Sequence, residues 1–100
     1  MIPNLLTPRE TQRQLASRCK NLRLNAGYKR TTLAQRAGVS EASLKRFENS
    51  GEISLKNLLR LTHAFGRLQD FSAIFQPAEA KTLAELKLGV DSNTPKRGRI

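Results

Sequence analysis

The sequence predicts an all-α fold of five short helices followed by a short C-terminal extension. Apolar residues recur at three- and four-residue spacing, no window sustains the alternation of a half-buried strand, and the breaks between the apolar runs carry helix-capping chemistry.

The first helix opens at Thr7-Pro8-Arg9-Glu10. Thr7 suits the N-cap, Pro8 the first helical position, and Glu10 completes a T-x-x-E capping box. The helix is expected to run to about Ala26, stopped by Gly27, with Leu15, Cys19, Leu22 and Ala26 as its apolar spacing and Arg9, Arg13, Arg18 and Lys20 studding it. A second helix over 30–37 buries Leu33, Ala34 and Ala37. Gly38 is placed to take the left-handed conformation that ends it, and Ser40 to cap a third helix over 41–49, which buries Leu44 and Phe47. Asn49-Ser50-Gly51-Glu52 reads as a turn. Ser54 caps a fourth helix carrying Leu55, Leu58, Leu59, Thr62 and Phe65, ended by Gly66. A fifth helix over 68–75 shows Leu68, Phe71, Ile74 and Phe75, closed by Pro77. Leu83, Leu86 and Leu88 then sit among charges, enough for a short helix or a short strand. From Asp91 the chain is polar, with too little apolar content to order itself. The expected organisation is a helical domain over 7–76, an extension over 77–90 and a basic tail over 91–100.

Charge narrows the function. Eighteen Lys and Arg against eight Asp and Glu leave +10 on 100 residues. An excess of that size points to a polyanion, nucleic acid before an anionic membrane surface, with a merely soluble basic protein as the plain alternative. The basic residues are scattered over several helices rather than lining one amphipathic face, which argues against a membrane surface. No segment reaches the roughly 20 apolar residues of a membrane span, and the N-terminus lacks a secretory signal. The single cysteine fits a reducing cytosol, so a cytoplasmic location is expected; its spacing makes Cys19 a small core hydrophobe. One His and one Cys offer no acid–base cluster and no metal site. His63 reads as a packed or surface imidazole. No enzymatic activity, cofactor or metal is expected.

Two short helices joined at Gly38 set a steep angle, so that the first braces the second as it projects outward. Leu33, Ala34, Ala37, Val39, Leu44 and Phe47 make the joint apolar face. The projecting helix then presents Glu41, Ala42, Lys45 and Arg46, a composition suited to a DNA major groove. Arg46 is either a bidentate reader of guanine O6 and N7 or a solvated surface charge. Glu41 is either an acceptor for cytosine N4 or a first-turn charge favourable to the helix dipole. Ser40 is mainly a cap, with phosphate contact as a second use.

Leu33-Ala34, Gly38 and Val39-Ser40, followed by Leu44 and Phe47-Glu48-Asn49, resemble the helix-turn-helix of phage-repressor-like (Xre/Cro-type) transcriptional regulators. The resemblance covers about Leu15 to Phe75 and implies a five-helix, lambda-repressor-like domain. It places base reading on Glu41, Ala42, Ser43 and Arg46, and DNA-backbone contacts on Lys29, Arg30, Ser40, Lys45, Asn49 and Lys56. Arg30 and Lys29 stand where the family usually has glutamine and a Ser or Thr cap, a departure that weakens the cap and adds phosphate attraction. A structural ion pair is implied between Arg23 and Glu48. Proteins of this kind work as two-fold dimers on palindromic operators, so a homodimer is expected, with Phe71, Ile74, Phe75, Leu83 and Leu86 supplying the surface. The alternative is that Phe71 and Phe75 complete one domain's core. The terminal Pro95-Lys96-Arg97-Gly98-Arg99 resembles the core of an AT-hook, which places minor-groove or phosphate contacts on Lys96, Arg97 and Arg99; a partner-protein contact and mere solubility are the alternatives. Length, helical domain and basic end also resemble HipB-type antitoxins, which implies a HipA-like kinase toxin as partner. The competing function is a protein-interaction adaptor that keeps the fold without specific DNA reading.

Overall fold

A computed structural model describes residues 6–78. It contains four α-helices, α1 (Pro8–Asn25), α2 (Arg30–Ala37), α3 (Glu41–Ser50) and α4 (Leu55–Ala64), followed by a 3-10 turn at Leu68–Phe71. The described residues contain no strand. The chain divides into two units, one ending at Leu68 and the other beginning at Gln69.

Capping sets the helix boundaries. The Thr7 hydroxyl accepts from Glu10 N–H at 3.1 Å while Glu10 Oε1 accepts from Thr7 N–H at 3.0 Å, the reciprocal pair of a capping box. The hydroxyls of Ser40 and Ser54 accept from the N–H groups of Ser43 and Asn57, three residues into α3 and α4. Lys29 occupies the same position before α2 and makes no side-chain cap bond. Gly38 ends α2 at φ 76°, ψ 29°. There its N–H and that of Val39 both return to α2 carbonyls, at 2.9 Å and 3.0 Å from Ala34 O, so the chain reverses within two residues and α3 starts at Glu41.

The core gathers Ala16 of α1, Leu33 and Ala34 of α2, Val39 of the turn, Leu44 and Phe47 of α3, and Leu61 of α4. Leu15, Cys19, Tyr28, Ala37, Ile53, Leu58, Ala64 and Phe65 pack around them, half-buried. Helix α1 lies on α3, and α2 lies on both α3 and α4. Leu33 and Leu44 are wholly buried on the two sides of the Gly38 turn, and burying a side chain of that size contributes roughly 1.5–3 kcal/mol.

The structure corrects the sequence reading over 68–75 and refines it in α4 and α1. The segment over 68–75 is not a fifth α-helix: it is one 3-10 turn followed by further turns. Its backbone bonds all span three residues, Ser72 to Gln69, Ile74 to Phe71 and Gln76 to Ala73. The Ser72 hydroxyl donates to Gln69 O at 2.8 Å, a local bond that competes with an α-helical ladder, and Pro77 disfavours helical backbone at Gln76. In α4 the buried stripe runs through Leu58, Leu61 and Phe65, while Leu55 in the first turn is 66% exposed. In α1 the expected Leu15 and Cys19 pack half-buried against the core, the fully buried positions are Ala16 and Arg23, and Ala26, the C-cap, is exposed.

Candidate nucleic-acid interface

Helix α3 divides cleanly around its axis. Leu44 and Phe47 enter the core, with the Glu48 side chain buried and Ser43 half-buried beside them, and Glu41, Ala42, Lys45, Arg46 and Asn49 are exposed. At about 100° per residue those five occupy an arc of about 140°. One continuous outer face therefore carries three of the four residues assigned to base reading, together with Lys45 and Asn49. The fourth, Ser43, flanks that face and lines an open groove of about 330 Å³ with Arg46, Glu52, Ile53, Ser54 and Asn57. Ser40 is occupied as a cap: its hydroxyl accepts from Ser43 N–H at 3.0 Å and donates to Ser43 Oγ at 2.8 Å. Lys29 stands exposed before α2 and Lys56 exposed in the first turn of α4.

What holds the face outward is a set of bonds to the back of α3. Arg23 Nε and Nη2 donate to the two oxygens of Glu48 at 2.7 Å and 3.0 Å, and Nη1 donates to Tyr28 O at 2.9 Å. One guanidinium thus joins the end of α1, the loop before α2, and α3. The Glu48 side chain is wholly buried and that of Arg23 is 7% exposed, so each charge depends on the other. Arg30 also donates to Glu48, Nε to Oε1 at 3.0 Å. Its side chain, 32% exposed, is therefore a third and partly exposed member of this cluster, an engagement the sequence reading, which assigns Arg30 to the DNA backbone, does not include. Arg36 lies over the Tyr28 ring, 4.8 Å from its centroid, a cation–π contact that holds the same loop.

Further contacts went unnoticed in the sequence because they join residues far apart along it. Arg60 of α4 donates to Gly38 O at 3.2 Å, placing a cation at the C-terminus of α2 where the helix dipole favours it. Gln12 of α1 donates to Gly51 O at 3.2 Å, tying down the turn after α3. Arg46, by contrast, meets Glu52 only six residues on: Nη2 lies 2.7 Å and Nε 3.2 Å from Glu52 Oε1. Both side chains are exposed, 71% and 47%. The Arg46 guanidinium, through its hydrogen bond and then its charge, holds the Glu52 carboxyl below the usual carboxylate range. A glutamate just past the glycine that ends the helix carrying Arg46 is the signal that could have found this pair.

A family model described as helix-turn-helix matches residues 20–69, from the second half of α1 through α4 to the start of the 3-10 turn. The chain belongs to the helix-turn-helix family. Neither a curated protein nor a solved structure matches it. The helix-turn-helix family comprises DNA-binding regulators rather than enzymes, and α2, the Gly38 turn and α3 are this protein's version of the motif. No helix among the described residues is long and apolar enough to cross a membrane. Of the expected dimer residues, Phe71 is half-buried, Ile74 is 51% exposed and Phe75 fully exposed. Leu83 and Leu86, and the tail residues Lys96, Arg97 and Arg99, lie outside the described residues.

Proposed function

We propose that this helix-turn-helix protein is a sequence-specific reader of double-stranded DNA that acts as a dimeric transcriptional repressor on a two-fold operator. The observation that carries this reading is the undivided outer face of α3, where Lys45 and Arg46 stand exposed on a helix whose opposite side is locked by Leu44, Phe47 and Glu48. Arg46 reads guanine through its fork, Glu41 and Ala42 meet neighbouring bases, and Ser43 borders them. Lys29, Lys45, Asn49 and Lys56 contact phosphates, which position the helix without reading sequence. Arg30, with Nε committed to Glu48, adds its positive charge to the same surface, and the basic tail extends the contact.

Dimerisation is supported by the exposed apolar side chains Ile74 and Phe75 and by the few base pairs that one helix spans. No toxin-contact motif accompanies the HipB resemblance, so a kinase partner is tested by co-purification with the product of a neighbouring gene. The deciding experiment is selection of bound fragments from the organism's own genome. A palindromic consensus, bound with an affinity that falls steeply as salt rises, is expected. Salt-sensitive but sequence-blind binding would favour the adaptor reading and overturn this one. Arg46→Ala should erase the preference for guanine at the base pair it reads while leaving non-specific attraction nearly intact.

A further inference from the structure

Glu52 is out of place on a DNA-facing surface, since a carboxylate repels phosphate. As an exposed pair with Arg46 it also contributes little to holding the fold. The geometry of the pair points to another use. Glu52 Oε1 takes both of its hydrogen bonds from one edge of the Arg46 guanidinium, the edge formed by Nε and Nη2. The planar fork has a second edge, between Nη1 and Nη2, which this contact leaves available, because Nη2 carries one hydrogen toward each edge. Guanine O6 and N7 form the bidentate acceptor that matches that second edge. Carboxylate and base can therefore be held at once rather than in competition.

The carboxylate is itself held in place. Glu52 N–H donates to Ser50 Oγ at 3.1 Å, and Ser50 Oγ donates to Arg46 O at 2.7 Å, so the turn is bonded to the same residue whose side chain it grips. Gln12 fixes the intervening Gly51 carbonyl from α1. A ring thus runs from the Arg46 main chain through Ser50 and Glu52 back to the Arg46 guanidinium, at the rim of the groove beside α3. We propose that Glu52 is a positioning residue for base recognition: it clamps the Nε–Nη2 edge of Arg46 so that the Nη1–Nη2 edge is presented to guanine, and thereby sets specificity rather than affinity. This rests on α3 being the DNA-reading helix. Fixing a long, mobile side chain before DNA arrives lowers the ordering cost of the contact, and the negative charge of Glu52 weakens binding to duplexes that offer no guanine there.

The test begins with selection from a random-sequence duplex pool by the wild-type protein and by Arg46→Ala, which identifies the G·C pair that Arg46 reads. Affinities are then measured for the selected duplex and for the same duplex with that pair changed to A·T. The ratio of the two should fall about tenfold in Arg46→Ala and roughly three- to tenfold in Glu52→Ala. Glu52→Gln, whose carbonyl still accepts from the guanidinium, should fall between wild type and Glu52→Ala. The Arg46→Ala/Glu52→Ala double variant should discriminate no worse than Arg46→Ala, and Glu52→Ala should bind the A·T duplex at least as tightly as wild type. An unchanged ratio in Glu52→Ala, equal weakening on both duplexes, or a further loss in the Arg46→Ala background would each overturn the role of Glu52 while leaving α3 as the reading helix. Failure of the wild type to select any sequence would instead overturn the DNA-reading function, and this inference with it.

Discussion

At the scale of single residues, charge burial governs both stability and reactivity. Glu48 receives hydrogen bonds from Arg23 and Arg30, and its removal leaves the nearly buried Arg23 without a counter-charge. Glu48→Ala should destabilise the protein by about 3–5 kcal/mol in urea denaturation. Arg30→Ala should cost under about 1 kcal/mol, because its side chain remains 32% exposed and Arg23 still neutralises Glu48. Cys19, packed beside this cluster, shows the same influence. Burial first, and the Glu48 charge second, push its thiol from 9.0 to about 11, against a smaller opposing pull from Arg23. The folded state therefore keeps a proton that the unfolded state loses first. The Cys19 contribution to stability is complete below pH 9 and is lost as pH rises through about 11. Denaturation across that window should show a steeper alkaline decline for the wild type than for Cys19→Ala, and the native thiol should alkylate far more slowly at pH 8 than the urea-unfolded one.

At the scale of elements, the two glycines that bracket α3 differ in what they tolerate. Both are left-handed, Gly38 at φ 76° and Gly51 at φ 84°. A Cβ at Gly38 would meet open space, whereas one at Gly51 would lie 3.1 Å from the Gln12 backbone carbonyl carbon and Cβ. Gly38→Ala should cost about 1–2 kcal/mol, the left-handed penalty alone. Gly51→Ala should cost more, since α1 must also give way; thermal denaturation of the two variants checks the order, and equal shifts would contradict it. Thr7→Ala should cost about 1 kcal/mol, because it removes one half of the reciprocal cap that opens α1. The segment after Gly66 shows where element reading fails. Leu68, Phe71, Ile74 and Phe75 have helical spacing, yet the chain turns by three-residue bonds and carries Phe75 at φ 66°. Spacing reports which residues could share a helical face; it does not report the local bonds of Ser72 that displace the ladder.

At the scale of the whole molecule, the net charge of +10 sets the long-range behaviour. Affinity for any duplex should fall steeply with salt, and Lys29→Ala should lower the log–log salt slope by about one unit while weakening all sequences alike. Loss of sequence preference in that variant would contradict its assignment to phosphate. Sedimentation in the presence of the selected duplex should show two protomers per site; a single protomer at saturation would remove the dimer.

Periodicity and capping residues, which act within a few positions of one another, were enough to place α1 through α4, the Gly38 turn and the division of α3 into a core side and an exposed side. Thr7, Ser40, Ser54 and Gly38 state those boundaries in their own chemistry, because a hydroxyl that can reach an N–H three residues on, or a residue free to adopt positive φ, needs no partner from elsewhere. Tertiary structure alone decided what such local signals cannot carry. Arg30 joins Glu48, Arg60 reaches the Gly38 carbonyl, Gln12 anchors Gly51, and Leu61 rather than Leu55 fills the core. Each of these depends on helices meeting in space, and a guanidinium shows its partner only once the carboxylate or carbonyl it will bind has been brought within 3 Å or so by packing.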